Sequence, residues 1–313
     1  MVGSLRLPGG LPATLRAGPE RHAEQLGMSG IRVDQVSSVT LECMEIWGGN
    51  DAVQSAISMP GIDAWIFSHP FAGGEQGGDV HYVSTCGHGE IDRFAVFDVS
   101  GHGDSVSNLS GRLRSLMRKH INKLDQTRIV RSLNNGFVNL DKEEEFATGV
   151  LASYHAPTDH LVIVNAGHPA PLWYRAKTEV WRELRFDLPD SVERLANLPL
   201  GIIDSTCYHQ FAVKLDKGDL VLIYTDAIVE AESPDGELLG PAGLLQSVKG
   251  IDAHDPGSFC SRLLEDVANH RGHNPPDDDL TILLLHHNAA DPPKQKLGDK
   301  MKVMGKMLGI IDY

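Results

Sequence analysis

The sequence predicts an α+β fold built of stacked layers, and three observations carry that prediction. Short apolar runs recur along the chain, rich in Val, Ile, Leu or aromatic residues and bounded by Gly, Pro, Asp or Asn, which is the pattern of strands. Helical patterns are grouped between these runs rather than alternating with them, which disfavours a doubly wound parallel sheet. The chain has 313 residues, 41% hydrophobic and 22% charged, enough for a sizeable core.

Residues 1–38 read as a flexible leader rich in Gly, Pro and Arg, without the apolar stretch of a secretory signal. From Val39 the pattern becomes globular. Strands are expected at Leu41–Ile46, Ala64–Phe67, Phe94–Val99, Gly149–Tyr154, Leu161–Val164, Leu220–Tyr224 and Leu280–Leu285, with a half-buried strand over Cys207–Val213. Val106, Leu109, Leu113, Leu116 and Ile121 form one helical stripe, with Asp104 or Ser105 placed to cap it. Ile129, Leu133, Phe137 and Leu140 form the next, with Thr127 as its candidate cap, and a third helix is expected from Pro256 to His270. The globular domain is expected to span 39–288, leaving 289–313 as a tail.

Charge and cysteine usage narrow the function. A formal net charge of -14 argues against nucleic acid as the main partner, since phosphate binding needs a basic stripe. The four cysteines are scattered and form no C-x-x-C, as suits a reducing cytoplasm. No apolar run approaches the roughly 20 residues that span a bilayer. No cysteine is followed by five residues and an arginine, and there is no Gly-x-Ser-x-Gly elbow, P-loop or H-E-x-x-H.

Four acidic positions stand at strand ends or beside glycines. Asp79 follows Gly77-Gly78. Asp98 ends an apolar run and precedes Val99-Ser100-Gly101-His102-Gly103. Asp226 ends Leu220–Thr225, and Asp278 lies in Asp277-Asp278-Asp279 just before the last strand. A carboxylate at the end of a buried strand is held rigidly at the rim of the core, and several converging hard oxygens suit Mg²⁺ or Mn²⁺. Two such ions about 4 Å apart lower the pKa of a bridging water and clamp phosphoryl oxygens. Each position also has a plainer reading. Gly-Gly-Asp makes a turn, Asp226 caps a helix from Ala227, and the triple Asp forms a solvated loop.

The ordered set of segments resembles the protein phosphatase 2C superfamily in its bacterial SpoIIE-like branch. These segments are Gly77-Gly78-Asp79, Asp98-Val99-Ser100-Gly101-His102-Gly103, Phe146-Ala147-Thr148, Asn165-Ala166-Gly167-His168-Pro169, Pro199-Leu200-Gly201, Tyr224-Thr225-Asp226 and Asp278-Asp279-Leu280-Thr281. The resemblance implies an α/β/β/α sandwich of two antiparallel sheets with a dinuclear Mn²⁺/Mg²⁺ site at one end. It implies Asp79 and Asp98 as central ligands, with Asp98 bridging, Val99 offering its carbonyl, and Asp226 and Asp278 completing the carboxylate shell. Asp279 then stands behind the ligands, the triple Asp leaving the register open by one. Asn165 and His168 would brace their loop, and His102 is a candidate general acid. Ala227 stands where the family often has Gly, and Val80-His81-Tyr82 where a second acid often follows; both departures bear on metal affinity.

The implied activity is hydrolysis of a phosphoserine or phosphothreonine ester by a metal-activated water. The implied substrate is a phosphoprotein such as an anti-sigma-factor antagonist in a partner-switching pathway, under an upstream regulator or response regulator. The competing reading is a phosphatase-like domain that binds a phosphoprotein without turnover; it predicts weak metal binding, and the full set of acids argues against it. Arg112, Arg114, Arg118, Lys119 and Lys123 lie largely off the first helix's apolar stripe, as a solvated face or as a dock for an acidic partner. In the tail, Leu297, Met301, Met304, Leu308 and Ile311 share one helical face, and five lysines stand against three aspartates. That face is expected to pack on the chain's own acidic domain or on a second subunit in a homodimer, with a partner groove or an anionic membrane as the other destinations.

Overall fold

The computed structural model describes residues 44–71, 76–86, 90–100, 104–138, 146–185 and 196–290, together with Gly298 and Gly305; of Met44, Cys86 and residues 104–107 it describes the backbone alone. In chain order the strands are β1 (Met44–Asp51), β2 (Val53–Met59), β3 (Ile62–His69), β4 (Gln76–Cys86) and β5 (Ile91–Val99). After helices α1 (Asp104–His120) and α2 (Gln126–Val138) come β6 (Ala147–His155), β7 (His160–Ala166), β8 (Leu172–Arg175), β9 (Val180–Glu183), β10 (Gln210–Lys214) and β11 (Leu220–Tyr224). Helices α3 (Gly240–Gly250) and α4 (Pro256–Arg271) precede the last strand, β12 (Leu280–His287).

The strands form two six-stranded sheets, ordered β1-β4-β5-β6-β7-β10 and β2-β3-β12-β11-β8-β9. Every strand pairing in them is antiparallel. The central strands read as continuous apolar runs because both their faces are covered. Side chains alternate across the pleat, so Phe94, Val96 and Val150 meet Ile66, Ile223 and Leu283 of the facing sheet between the layers. The opposite faces of the first sheet carry Phe97 and Leu151 against Leu113 and Met117 of α1 and Leu133 and Phe137 of α2. On the second sheet Leu222 and Ile282 pack under Leu244 of α3 and Phe259 and Leu263 of α4. Three apolar layers thus separate four structural layers, giving the expected α/β/β/α sandwich. Each fully buried Leu, Ile or Phe contributes about 1.5–3 kcal/mol.

β11 coincides with its expected run, while several boundaries move. β10 begins at Gln210 rather than Cys207, because the Cys207 carbonyl accepts instead from Asn197 N in an isolated bridge. β1 extends to Asp51, and β2, β4, β8, β9 and α3 add to the elements expected from the sequence. The cap of α2 is Asp125 rather than Thr127: its Oδ1 accepts from Thr127 N at 2.9 Å, from the Thr127 hydroxyl and from Arg128 N. Phe97 lies opposite Gly149, where a Cβ would meet its ring at 2.0 Å, so only glycine leaves room for that ring. The leader, His102, the side chains of Asp104 and Ser105, and all of the expected tail helix except Gly298 and Gly305 lie outside the described residues; both glycines are helical.

Candidate metal centre

At one end of the sandwich, β5 and β11 finish and β12 begins. Asp98 is the penultimate residue of β5, Asp226 opens a 3₁₀ turn directly after β11, and Asp278 lies two residues before β12. Asp79 enters from β4, one residue before Val80 pairs with Phe97. Four separate strands therefore deliver the four acids to one rim. Val99 closes β5 opposite Ala147.

The field at this rim is strongly negative. Burial pushes the Asp98 carboxyl up to about 7, and Asp226, Asp278, Asp279 and Glu230 each add to that shift. Asp79 is 3% exposed; burial and then the charge of Asp98 hold its carboxyl well above the usual range, against hydrogen bonds from Thr281 and Thr225. Asp226 is raised by burial and then by Glu230, and Asp278 by burial with Asp226, Asp279 and Asp277 adding to it. Among the described residues, the charged groups that act most strongly on these four acids are other acids. Among the described residues no three His, Cys, Asp or Glu side chains already close on one point as a finished ligand shell would. The acids are gathered into one field rather than clamped together.

The surrounding hydrogen bonds orient the acids. Thr225 Oγ1 donates to Asp79 Oδ2 at 2.9 Å and accepts from Thr281 N at 2.8 Å, locking the ends of β11 and β12 onto β4. Asp279 is held by backbone amides from a distant segment. Its Oδ1 accepts from Phe71 N at 2.5 Å and its Oδ2 from Gly78 N, so this carboxylate fastens the Gly-Gly-Asp segment. A Cβ on Gly77 would meet that carboxylate at 2.6 Å, which is why glycine stands there. Asp278, whose Oδ1 accepts locally from Asp279 N, acts on Asp98 together with Asp226, Asp279 and Glu230. Asp277 turns away toward Arg271, 3.4 Å from its Nη2.

Asn165 and His168 brace their loop as expected: Asn165 Nδ2 donates to the His168 carbonyl and Asn165 Oδ1 accepts from His168 N, both at 2.8 Å. His168 Nδ1 meets Thr148 Oγ1 at 2.7 Å, and burial lowers the imidazole to about 4, so it is neutral at pH 7. Sequence reasoning passed over several residues that hold the rim. Ser100 Oγ donates to the Phe146 carbonyl at 2.8 Å and accepts from Phe146 N at 3.0 Å, pinning the turn after Asp98-Val99. Ser110 of α1 donates to the Gly78 carbonyl at 3.1 Å, and Asn50 to the Gly77 carbonyl at 2.8 Å. Glu230 joins the field because the 3₁₀ turn folds it back, its N donating to the Asp226 carbonyl at 2.8 Å. The threonines beside Asp226 and after Asp278 were the readable signal; the Glu230 position follows only from the turn.

On the basic face of α1, Arg112, Arg118 and Lys119 are exposed, and two of its arginines are also paired. Glu45 of β1 accepts from Arg114 Nη2 at 2.9 Å and from Arg118 Nη2 at 2.7 Å, and these bonds hold its carboxyl below the usual range against burial. They tie the first described strand to the helix that follows the Asp98 loop.

Comparison with known proteins places the fold and the family. The chain is similar to the phosphoserine phosphatase RsbU of Bacillus subtilis (strain 168), 25% identical over 185 residues, covering 58% of this chain and 49% of that one. It thus spans about half the length of that curated relative. Its fold matches the RsbU and RsbW domains of Rv1364c from Mycobacterium tuberculosis (TM-score 0.62, 24% identity, 75% of this chain and 62% of that one). It also matches the PP2C phosphatase domain and a fragment of the regulatory domain of SpoIIE from Bacillus subtilis (TM-score 0.60, 20% identity, 72% and 63%). Two further structures of this fold are complexes with metal, RsbX with magnesium (TM-score 0.54) and PstP with two manganese ions (TM-score 0.51). The model of the Stage II sporulation protein E (SpoIIE) family matches residues 92–288, more than half of the chain, and the chain belongs to that family.

Proposed function

We propose that this chain is a metal-dependent protein serine/threonine phosphatase whose active centre is the acidic rim. The observation that supports this most strongly is the charge balance. Several carboxylates from separate strands raise one another's pKa, and among the described residues the charged groups acting most strongly on them are acids. The donor set is all oxygen, which fits Mg²⁺ or Mn²⁺ rather than zinc or a redox metal. Asp79, Asp98, Asp226 and Asp278 would hold two such ions with the Val99 carbonyl, and Asp279 would stand behind them holding the Gly77-Gly78-Asp79 segment. When bound, divalent cations activate water and neutralise phosphoryl charge.

The chain's own residues supply position. Thr225 and Thr281 keep Asp79 turned into the rim, Ser100 keeps the end of β5 in place, and Ser110 fixes the Gly78 carbonyl from α1. No cysteine or serine nucleophile is needed, because the attacking group is water. The named activity of RsbU and the RsbU–RsbW pairing in the Mycobacterium structure favour a phosphoserine or phosphothreonine on an anti-sigma-factor antagonist, under a separate upstream regulator. The catalytic unit would be 39–288, preceded by the 1–38 leader and followed by the 289–313 tail. No helix among the described residues is long and apolar enough to cross a membrane, and a cytoplasmic location fits this reading.

The test is phosphate release from a phosphoserine protein with and without chelator. Exhaustive chelation should abolish release, and Mn²⁺ or Mg²⁺ should restore it. Full activity after chelation would overturn the reading. Metal-independent binding of the phosphoprotein with no release under any metal would favour a binding domain without turnover.

A further inference from the structure

Arg271, the last residue of α4, stands where the helix pattern calls for an apolar side chain. Phe259, Leu263, Val267 and Arg271 recur at intervals of four along one face, and all four are buried. The first three belong to the apolar layer that includes Leu222 and Ile282. Arg271 is 5% exposed, and burial lowers its pKa while Asp277 raises it. Burying a guanidinium is costly, so the bonds it makes there need an explanation that packing alone does not give.

Its Nη2 donates to the Ala227 carbonyl at 2.9 Å and reaches Asp277 Oδ1 at 3.4 Å. Ala227 follows Asp226, and Asp277 precedes Asp278. One nitrogen at the end of a packed helix thus grips two loops, in each case one residue away from a rim acid. We infer that Arg271 is a positioning residue for the metal centre, holding Asp226 and Asp278 at a fixed spacing for the cations; this rests on the phosphatase reading of the rim. It acts through position rather than by neutralising the rim, since the charged groups acting most strongly on Asp226 and Asp278 are acids. These two acids are the ones that need such a hold. Asp98 lies within β5 and Asp79 within β4, where Thr225 also bonds it. Asp226 sits instead in a 3₁₀ turn, and Asp278 in an irregular segment where its Oδ1 accepts from the next residue. The neighbours of Arg271 hold the Asp226 loop further out. Asn274 Nδ2 donates to the Glu232 carbonyl, and His270 Nε2 meets the Glu237 carbonyl, both at 3.0 Å.

Calorimetric titration of the metal-free full chain and its variants with Mn²⁺ tests this, with melting of each metal-free variant to show that it is folded. Arg271→Met keeps most of the bulk and removes both bonds, and should weaken Mn²⁺ binding about tenfold or more. Arg271→Lys keeps the charge and a donor on a shorter arm, and should weaken it about threefold. The lysine variant decides alone if Arg271→Met does not fold. Asn274→Ala cuts a tie to the same loop away from the acids, and should leave Mn²⁺ binding within about twofold. Binding by the deciding Arg271 variant as tight as that of the unaltered chain overturns this inference alone. Equal weakening by Asn274→Ala also overturns it, because the arginine then only anchors the loop. No binding by the unaltered chain overturns the phosphatase reading and this inference with it.

Discussion

The two ends of the sandwich treat charge in opposite ways. At the rim where β5 and β11 finish, Asp79, Asp98, Asp226 and Asp278 face one another and Glu230, with threonine hydroxyls and backbone amides as their partners. At the other end acids stand beside basic and hydroxyl groups, as Asp92 does beside Arg93 and Thr85. Arg93 is 1% exposed and donates to Ser153 Oγ and to the Lys123 carbonyl, both at 2.9 Å. Tyr154 of one sheet meets His287 of the other at 3.1 Å, and His287 reaches Asp159 at 3.2 Å. Both ends have buried ionisable groups, so burial alone does not mark function. What marks the rim is several like charges held together by rigid strand ends, with acids as the strongest charged neighbours among the described residues, which costs stability unless a cation joins them.

The largest effect should follow from removing one charge at the rim. Asp98→Asn keeps the shape and takes away a carboxylate that both ions would share. Turnover should fall at least about a hundredfold, roughly 3 kcal/mol of transition-state stabilisation. Steady-state rates at saturating Mn²⁺ measure this, and near-normal turnover would remove Asp98 from the site. Thr225→Val tests the support rather than the ligand. It deletes the bond to Asp79 and leaves the buried Thr281 N without its acceptor, so we expect a loss of about 1–3 kcal/mol in stability and a weaker affinity for Mn²⁺. A variant with unchanged melting and unchanged metal dependence would show that the threonine lock carries no weight.

At the opposite end the effects should be structural only. Tyr154→Phe removes the hydroxyl that joins the two sheets through His287, and should cost about 1 kcal/mol in denaturant unfolding with turnover unchanged. A large loss of activity there would erase the contrast between the ends. The last effect concerns pH. Burial pushes Asp92 up to about 7 in the folded chain, against Thr85 and Arg93. The unfolded chain releases this proton near pH 4, so this residue favours unfolding progressively as pH rises from about 4 through 7. Asp92→Asn should flatten that part of the stability profile, and an identical profile would show that Asp92 titrates normally.

Much of this contrast was readable in the residues. Apolar runs bounded by turn residues located the central strands, and the order of acids at their ends located the rim, because strand ends and turns are local features. The division of labour in Asp277-Asp278-Asp279 was not legible. It depends on Phe71 N and Gly78 N, some 200 residues away in sequence. Glu230 lay hidden for the same reason, since only the fold shows that its charge reaches Asp98. Ser100, which has no obvious chemistry, turned out to hold the Asp98 turn to Phe146. The basic face of α1 is exposed as read, but the pairing of Arg114 and Arg118 with Glu45 of an edge strand was not legible, since Glu45 lies about 70 residues away in sequence.

Equilibrium titration of the metal-free chain with Mn²⁺ by calorimetry tests the central claim most directly, because it reads the site without depending on any substrate. The account predicts two ions per chain, at least tenfold weaker binding in Asp98→Asn, and unaltered binding in Tyr154→Phe. No binding at millimolar Mn²⁺, or equal binding by Asp98→Asn and the unaltered chain, would contradict it.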